Sequence, residues 1–349
     1  MHEKIMKLTA IYGSIFTLLA MSFMMLYIEN RAVTYASDES VSQNESNLIE
    51  IISEIDSNSM KKLTIVKKLN AKYVYIPVSE EVMEDDISIV NDYLVNTVTL
   101  YFEGMEENYY DINSISGNND KIKSVLYTYK NGVSIFQIKM TDIYECEIVK
   151  KNNSLCLEFQ SPRELYDKII VIDPGHGGTE SGNIANGIVE KELNLDIAMK
   201  LQSLLSETDI KVYYTRLDDS NPDCEKRVQF ANDINADMFI SIHAVSKLED
   251  DSMYGIQTVY NSNFFIPRFS SLELADMIEK SVVTLVNGRA NGLIMTKEDN
   301  VIVSKATIPV ALLEVGFLSN KKEALLLGQD EYRMKIAEGI YEGILEAYR

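Results

Sequence analysis

From Asp167 onward the chain alternates short apolar runs with stretches of helical periodicity, and this alternation restricts the fold more than any other feature. "DKIIVID" is a buried run of strand length, after which "EKELNLDIAMKLQSLLS" places Leu193, Ile197, Leu201 and Leu204 at helix spacing. "DIKVYYTR" reads as the next strand, "CEKRVQFANDIN" as a helix behind Pro222, and "DMFISIH" and "IQTVY" as two further strands. "SSLELADMIEKSVVTLV" opens with Ser270 and Glu273 at capping-box spacing and carries Leu274, Ile278, Val282 and Leu285 on one face. Past "NVIVS" and "PVALLEVGF", a closing helix repeats Ile336, Ile340, Ile344 and Tyr348 every fourth residue. Strands alternating with helices predict an α/β domain: a twisted, mostly parallel sheet flanked by helices.

In such sheets ligands gather beyond the carboxyl ends of the strands. Three polar residues stand at those ends: His176 follows "IIVIDPG", His243 ends "MFISI" and Glu314 ends "VALL". A fourth, Glu190, comes 14 residues after His176 and opens a helix. Taken singly, each has an ordinary reading, a strand-edge histidine or a first-turn acid favoured by the helix dipole. Taken together, two of only three histidines at equivalent strand ends, with two carboxylates, form the donor set of a zinc hydrolase. Catalytic zinc takes three N or O ligands and keeps a further position for water. The glycines around His176 permit a sharp turn, and "GHGG" lacks the spacing of a phosphate-binding loop.

Between Leu63 and Ser161 the text changes to short alternating runs, "AKYVYIP", "NTVTLYF", "KSVLYTY", "GVSIFQIKM" and "SLCLEF", separated by turn residues. This pattern predicts a small all-β domain, with Asn131-Gly132 as a hairpin turn. "EEVMEDD", Glu80 to Asp86, lacks the glycine and ligand spacing of a calcium loop and reads as a solvated acidic face. Cys146, Cys156 and Cys224 show no CxxC spacing; a Cys146–Cys156 bridge and reduced, half-buried thiols are both open.

At the N-terminus, Lys4 and Lys7 precede an uncharged stretch of 21 residues, Leu8 to Ile28, long enough to cross a bilayer. It reads as a membrane anchor that leaves the remainder outside the cytoplasm; the alternative is secretion after signal cleavage near Ala36. The expected division is 1–35 anchor, 36–60 a Ser-, Asn- and acid-rich linker, 61–164 β domain and 165–349 catalytic domain. A net charge of −20 argues against nucleic acid as a partner.

The stretches "IIVIDPGHGGTESG", "NGIVEKELNLDIAMKL", "VYYTR", "ADMFISIHA" and "IPVALLEVGFLSN" together resemble the zinc-dependent N-acetylmuramoyl-L-alanine amidases, the peptidoglycan hydrolases of the amidase-3 type. The resemblance runs from about Lys168 to Arg349 and implies one zinc on His176, Glu190 and His243, with Glu314 as the catalytic glutamate. It implies hydrolysis of the bond between N-acetylmuramic acid and L-alanine by a zinc-activated water. This chain has Val245 where the family usually has asparagine and Ser304 where a basic residue is frequent, so substrate contacts differ more than metal binding. The segment from His243 to Gly255 leaves no room for the inhibitory helix of some members. The β domain resembles, by strand pattern and domain order, the AMIN-type modules that target such enzymes to the cell envelope. The competing functions are an inactive wall-binding or regulatory module and a hydrolase of another wall amide; loss of a ligand or of the glutamate would favour the first, and all four residues are present.

Overall fold

The computed structural model describes residues 59–68, 71–247, 249–262, 265–266, 269–296 and 300–349. The expected anchor and nearly all of the linker lie outside these residues; among the described residues no helix is long and apolar enough to cross a membrane.

The first part is a sandwich of two layers built mainly of antiparallel strands. In one layer β2 (Ser88–Asp92), β3 (Thr97–Phe102), β5 (Val133–Met140) and β4 (Ile122–Lys130) lie side by side. The other contains β1 (Val74–Pro77), β7 (Ser154–Gln160) and β6 (Glu145–Lys151). Alternate residues of the two layers, Ile76, Leu100, Phe136, Ile138, Leu155 and Leu157 among them, meet in a closed core, as expected of strands with one buried face. Asn131 and Gly132 join β4 to β5 with φ of 55° and 89°, the pair of positive angles that a two-residue hairpin turn demands. The acidic run Glu80–Asp86 is a turn and a short 3-10 helix whose described acids point to solvent.

The strand register excludes a Cys146–Cys156 bridge. Cys146 lies opposite Phe159 and Cys156 opposite Val149. Opposed residues share a face and successive residues alternate, so the two thiols point to opposite faces of the sheet, and all three cysteines are free.

The second part has a six-stranded sheet in the order β9 (Lys211–Tyr214), β8 (Ile169–Pro174), β10 (Met238–Val245), β13 (Val310–Phe317), β11 (Ile256–Tyr260), β12 (Ala290–Met295). The first four are parallel, β11 runs antiparallel to β13, and β12 follows β11. One face is covered by α1 (Glu190–Leu205), α3 (Ser271–Val286) and α5 (Asp330–Ala347), whose Ile197, Leu201, Ile278 and Ile340 pack on Ile172, Ile240 and Leu313. The other face is covered by α2 (Cys224–Asp233) and the short helix Val301–Ser304, through Val228, Phe230 and Val303 against Val171, Phe239 and Leu312. Both faces of the parallel strands are therefore buried, which is why they read as unbroken apolar runs.

Two details go beyond the alternating pattern. "NVIVS" is helical, capped by the Asn300 side chain, which accepts from Val303 N at 3.1 Å. The strand beside β11 is instead "ANGLIM", whose Asn291-Gly292 pair is turn chemistry and hides it.

The two parts meet on α2 and β9. The Tyr93 ring lies 5.1 Å from that of Tyr213 and 6.2 Å from that of Phe230. Glu145 accepts from the Tyr93 hydroxyl at 3.0 Å, accepts from that of Tyr213, and pairs with Lys211 at 3.1 Å. Phe230 is 3% exposed, so Phe230→Ala should cost about 3–5 kcal/mol, as expected when a buried ring is removed. Calorimetry should show a clear fall in melting temperature, and an unchanged value would mean that this junction contributes nothing to stability.

Candidate metal centre and active site

The loop after β8 places His176 with φ of 64°, a left-handed conformation that is strained for a residue carrying a Cβ. Strain of this kind, about 1–3 kcal/mol, persists only where the surroundings over-determine it. Here two buried arginines do so. Arg227 donates to Pro174 O at 2.9 Å and His176 O at 2.8 Å; Arg216 donates to Pro174 O at 2.8 Å and Gly175 O at 2.9 Å. Arg227 is in turn paired at 2.9 Å with Asp173, which also accepts from Thr215 and Ser241 at 2.6 Å. Burial alone would raise the Asp173 pKa, but Arg227 and the two hydroxyls hold it below the ordinary value, so the pair stays charged.

Glu190, at the first turn of α1, is 1% exposed and is the hub of the site. Its Oε1 lies 3.1 Å from His176 Nε2 and 3.0 Å from His243 Nδ1, and accepts from Ala244 N at 3.0 Å. Its Oε2 accepts from the backbone and side-chain nitrogens of Asn183 at 2.8 and 2.7 Å. Burial opposes this charge, but the imidazoles and the Asn183 amide hold the carboxyl well below the usual carboxylate range. One ligand atom from each of His176, Glu190 and His243 lies within 4.8 Å of the others, so the three could hold a metal ion. Two glycines make room for them. A Cβ on Gly175 would fall 2.1 Å from the His243 ring, and one on Gly182, whose φ is 64°, would fall 2.6 Å from His176 and 2.7 Å from Glu190.

Partners outside this trio set ring orientation. Glu180 Oε1 lies 3.0 Å from His176 Nδ1, and Asn221 reaches the other Glu180 oxygen at 3.3 Å. Burial lowers the His176 pKa, but Glu190 and Glu180 more than offset this and raise it. Glu314 of β13 stands in register with His243 of β10. Burial raises its pKa, against the opposing effect of a hydrogen bond from Gln257, the direction that suits a group exchanging protons near neutrality. All four residues singled out in the sequence thus come to the carboxyl edge of the parallel strands. Val245 closes β10, accepting from Leu318 N at 2.6 Å, and Ser304 ends the short helix on the α2 side of the sheet. Between Ser246 and Gly255 the described residues form turns without a helix.

Sequence reading missed Arg216, Arg227, Asn183, Glu180 and Gln257. The first two had a signal: arginines directly behind an apolar strand and on a helix that must cover it. The others are polar residues in loops or on a strand, without a local pattern.

Fold and site define a class: an α/β domain with a His–Glu–His trio able to hold a metal ion and a further, half-buried glutamate beside it. The family model Amidase_3, N-acetylmuramoyl-L-alanine amidase, matches residues 170–346. YqiI, an uncharacterized protein of Bacillus subtilis (strain 168), is 32% identical over 189 residues, covering 54% of this chain and 89% of that protein. The germination-specific N-acetylmuramoyl-L-alanine amidase of the same organism is 31% identical over 202 residues, covering 53% and 81%. A crystal structure of an N-acetylmuramoyl-L-alanine amidase from Clostridium difficile 630 superposes with a TM-score of 0.48 at 32% identity, over 51% of this chain and 95% of the other. The chain belongs to the N-acetylmuramoyl-L-alanine amidase family, and the reaction of that family is hydrolysis of an amide bond in peptidoglycan.

Proposed function

We propose that the chain is a zinc-dependent enzyme in which His176, Glu190 and His243 hold the metal and Glu314 moves the proton. The observation that carries this reading is the convergence of two imidazole nitrogens on one buried carboxylate oxygen, at 3.1 and 3.0 Å. Two imidazoles and one carboxylate are the ligand set of catalytic zinc sites that leave a position open. Zinc, when bound, supplies Lewis acidity that acidifies water and polarises the scissile carbonyl. The remaining work falls to this chain. The Arg216 and Arg227 contacts hold the His176 loop, Glu180 fixes the tautomer and tilt of its ring, and Asn183 keeps the Glu190 carboxylate aimed at both histidines. Glu314 accepts a proton from the water that attacks the lactyl carbonyl of the muramic acid. It then returns that proton to the departing L-alanine nitrogen, so that one C–N bond breaks and one C–O bond forms.

The test is reconstitution. Protein stripped by a chelator should not cleave purified peptidoglycan, and one equivalent of zinc should restore cleavage. Full activity of the metal-free protein would refute the zinc reading while leaving the family assignment intact.

We place the catalytic domain outside the cytoplasm on a single-pass anchor. Support for this comes from Lys4, Lys7 and the uncharged stretch Leu8–Ile28. Envelope targeting by the β domain rests on strand pattern and domain order alone. Fused at its C-terminus to a reporter that works only outside the cytoplasm, the full chain should give signal and sediment with membranes. A soluble form beginning near Ser37 would instead establish cleavage after Ala36.

A further inference from the structure

Glu314 stands between two neighbours in the sheet, His243 on one side and Gln257 on the other. Gln257 Nε2 donates to Glu314 Oε2, and Asn291, on the next strand, donates from Nδ2 to Gln257 Oε1 at 2.7 Å. Gln257 is 6% exposed, so its amide has almost no access to water. A glutamine amide carries donors on one end and an acceptor on the other. The Asn291 N–H therefore decides which end faces Glu314.

We propose that Gln257, oriented by Asn291, is a positioning residue that keeps Oε2 of Glu314 as an acceptor and confines the exchanged proton to Oε1. An ionised carboxylate accepts at Oε2, and a carboxyl group protonated on Oε1 does so as well. The bond therefore persists through both halves of the reaction, and the reactive oxygen does not change place. A proton on Oε2 would meet the Gln257 N–H, donor against donor, in a site that water barely reaches. The inference rests on the reading of Glu314 as the proton carrier, and the variants are chosen to separate the two.

The experiment uses the full, zinc-loaded chain on purified peptidoglycan, with zinc content and melting temperature measured for each variant. Gln257→Met keeps the length of the side chain and removes the amide. It should lower kcat by about 10–100-fold, the usual loss when an orienting partner is removed, with KM nearly unchanged and zinc retained. Asn291→Asp presents an acceptor to Gln257 Oε1, turns the amide over and points its oxygen at Glu314. It should therefore lower kcat more than Asn291→Ala does. A purely structural role predicts the reverse order, because aspartate fills the asparagine volume and alanine leaves a gap. Normal kcat in Gln257→Met, or Asn291→Asp milder than Asn291→Ala, would overturn the proposal. Glu314→Gln serves as the control: if it is active, the reading of Glu314 is wrong. If it is inactive while Gln257→Met is normal, only the relay is wrong.

Discussion

His176→Ala and His243→Ala should each yield a folded protein without stoichiometric zinc. A protein zinc site binds with about 10–16 kcal/mol in all, or roughly 2.5–4 kcal/mol per ligand when shared among four. Losing one ligand thus weakens affinity on the order of 10²–10³. Folding should survive because the side chains of His176 and His243 are 19% and 20% exposed and neither belongs to an apolar core. The Glu190 carboxylate left behind retains Asn183 and Ala244 as donors. Elemental analysis of the region from about Ser37 onward gives the readout: one zinc in the parent chain and much less than one in either variant. Full occupancy in both variants would show that the ligands lie elsewhere.

The second large effect separates catalysis from metal binding. Glu314→Gln keeps side-chain size and removes the basic oxygen, so zinc and fold should be retained while kcat falls by at least about 10²–10⁴-fold, the range of positioned acid–base groups. Glu190→Gln should instead weaken zinc, because a neutral amide oxygen is a poorer ligand than a carboxylate, and the new N–H₂ would confront Asn183 or the histidines. Zinc content measured beside single-turnover rates distinguishes the two. If Glu314→Gln lost metal and Glu190→Gln kept it, the carboxylates would have exchanged roles.

Much of this was legible before any coordinates. The parallel strands are buried on both faces, so "IIVID" and "MFISI" announce themselves as apolar runs, and the residue ending each run falls at the ligand-binding edge. His176, His243 and Glu314 could be found in this way because position along a strand fixes position in the sheet. Glu190 followed from its place in the first turn of a helix. What stayed hidden depends on which strands become neighbours. Gln257 acquires its meaning only from lying opposite Glu314 across an antiparallel pair, and β12 was concealed by its own Asn291-Gly292. The cysteine state stayed open for the same reason: which face a thiol takes depends on a register that spacing along the chain does not specify. Arg216 and Arg227 lay between these cases. Buried charge without a partner is costly, so two arginines beside apolar elements promised a network, but the carbonyls they bind are those of a loop whose path is a tertiary outcome.

The most direct test of the whole account is the chemistry of the new ends released from purified peptidoglycan by the zinc-loaded protein. The account predicts free L-alanine amines together with N-acetylmuramic acid residues bearing a free lactyl carboxyl group, in equal amounts and with no new reducing sugar ends. Amines on another stem residue, or new reducing ends, would contradict it, and an absence of new ends despite full zinc occupancy would make the chain a wall-binding module.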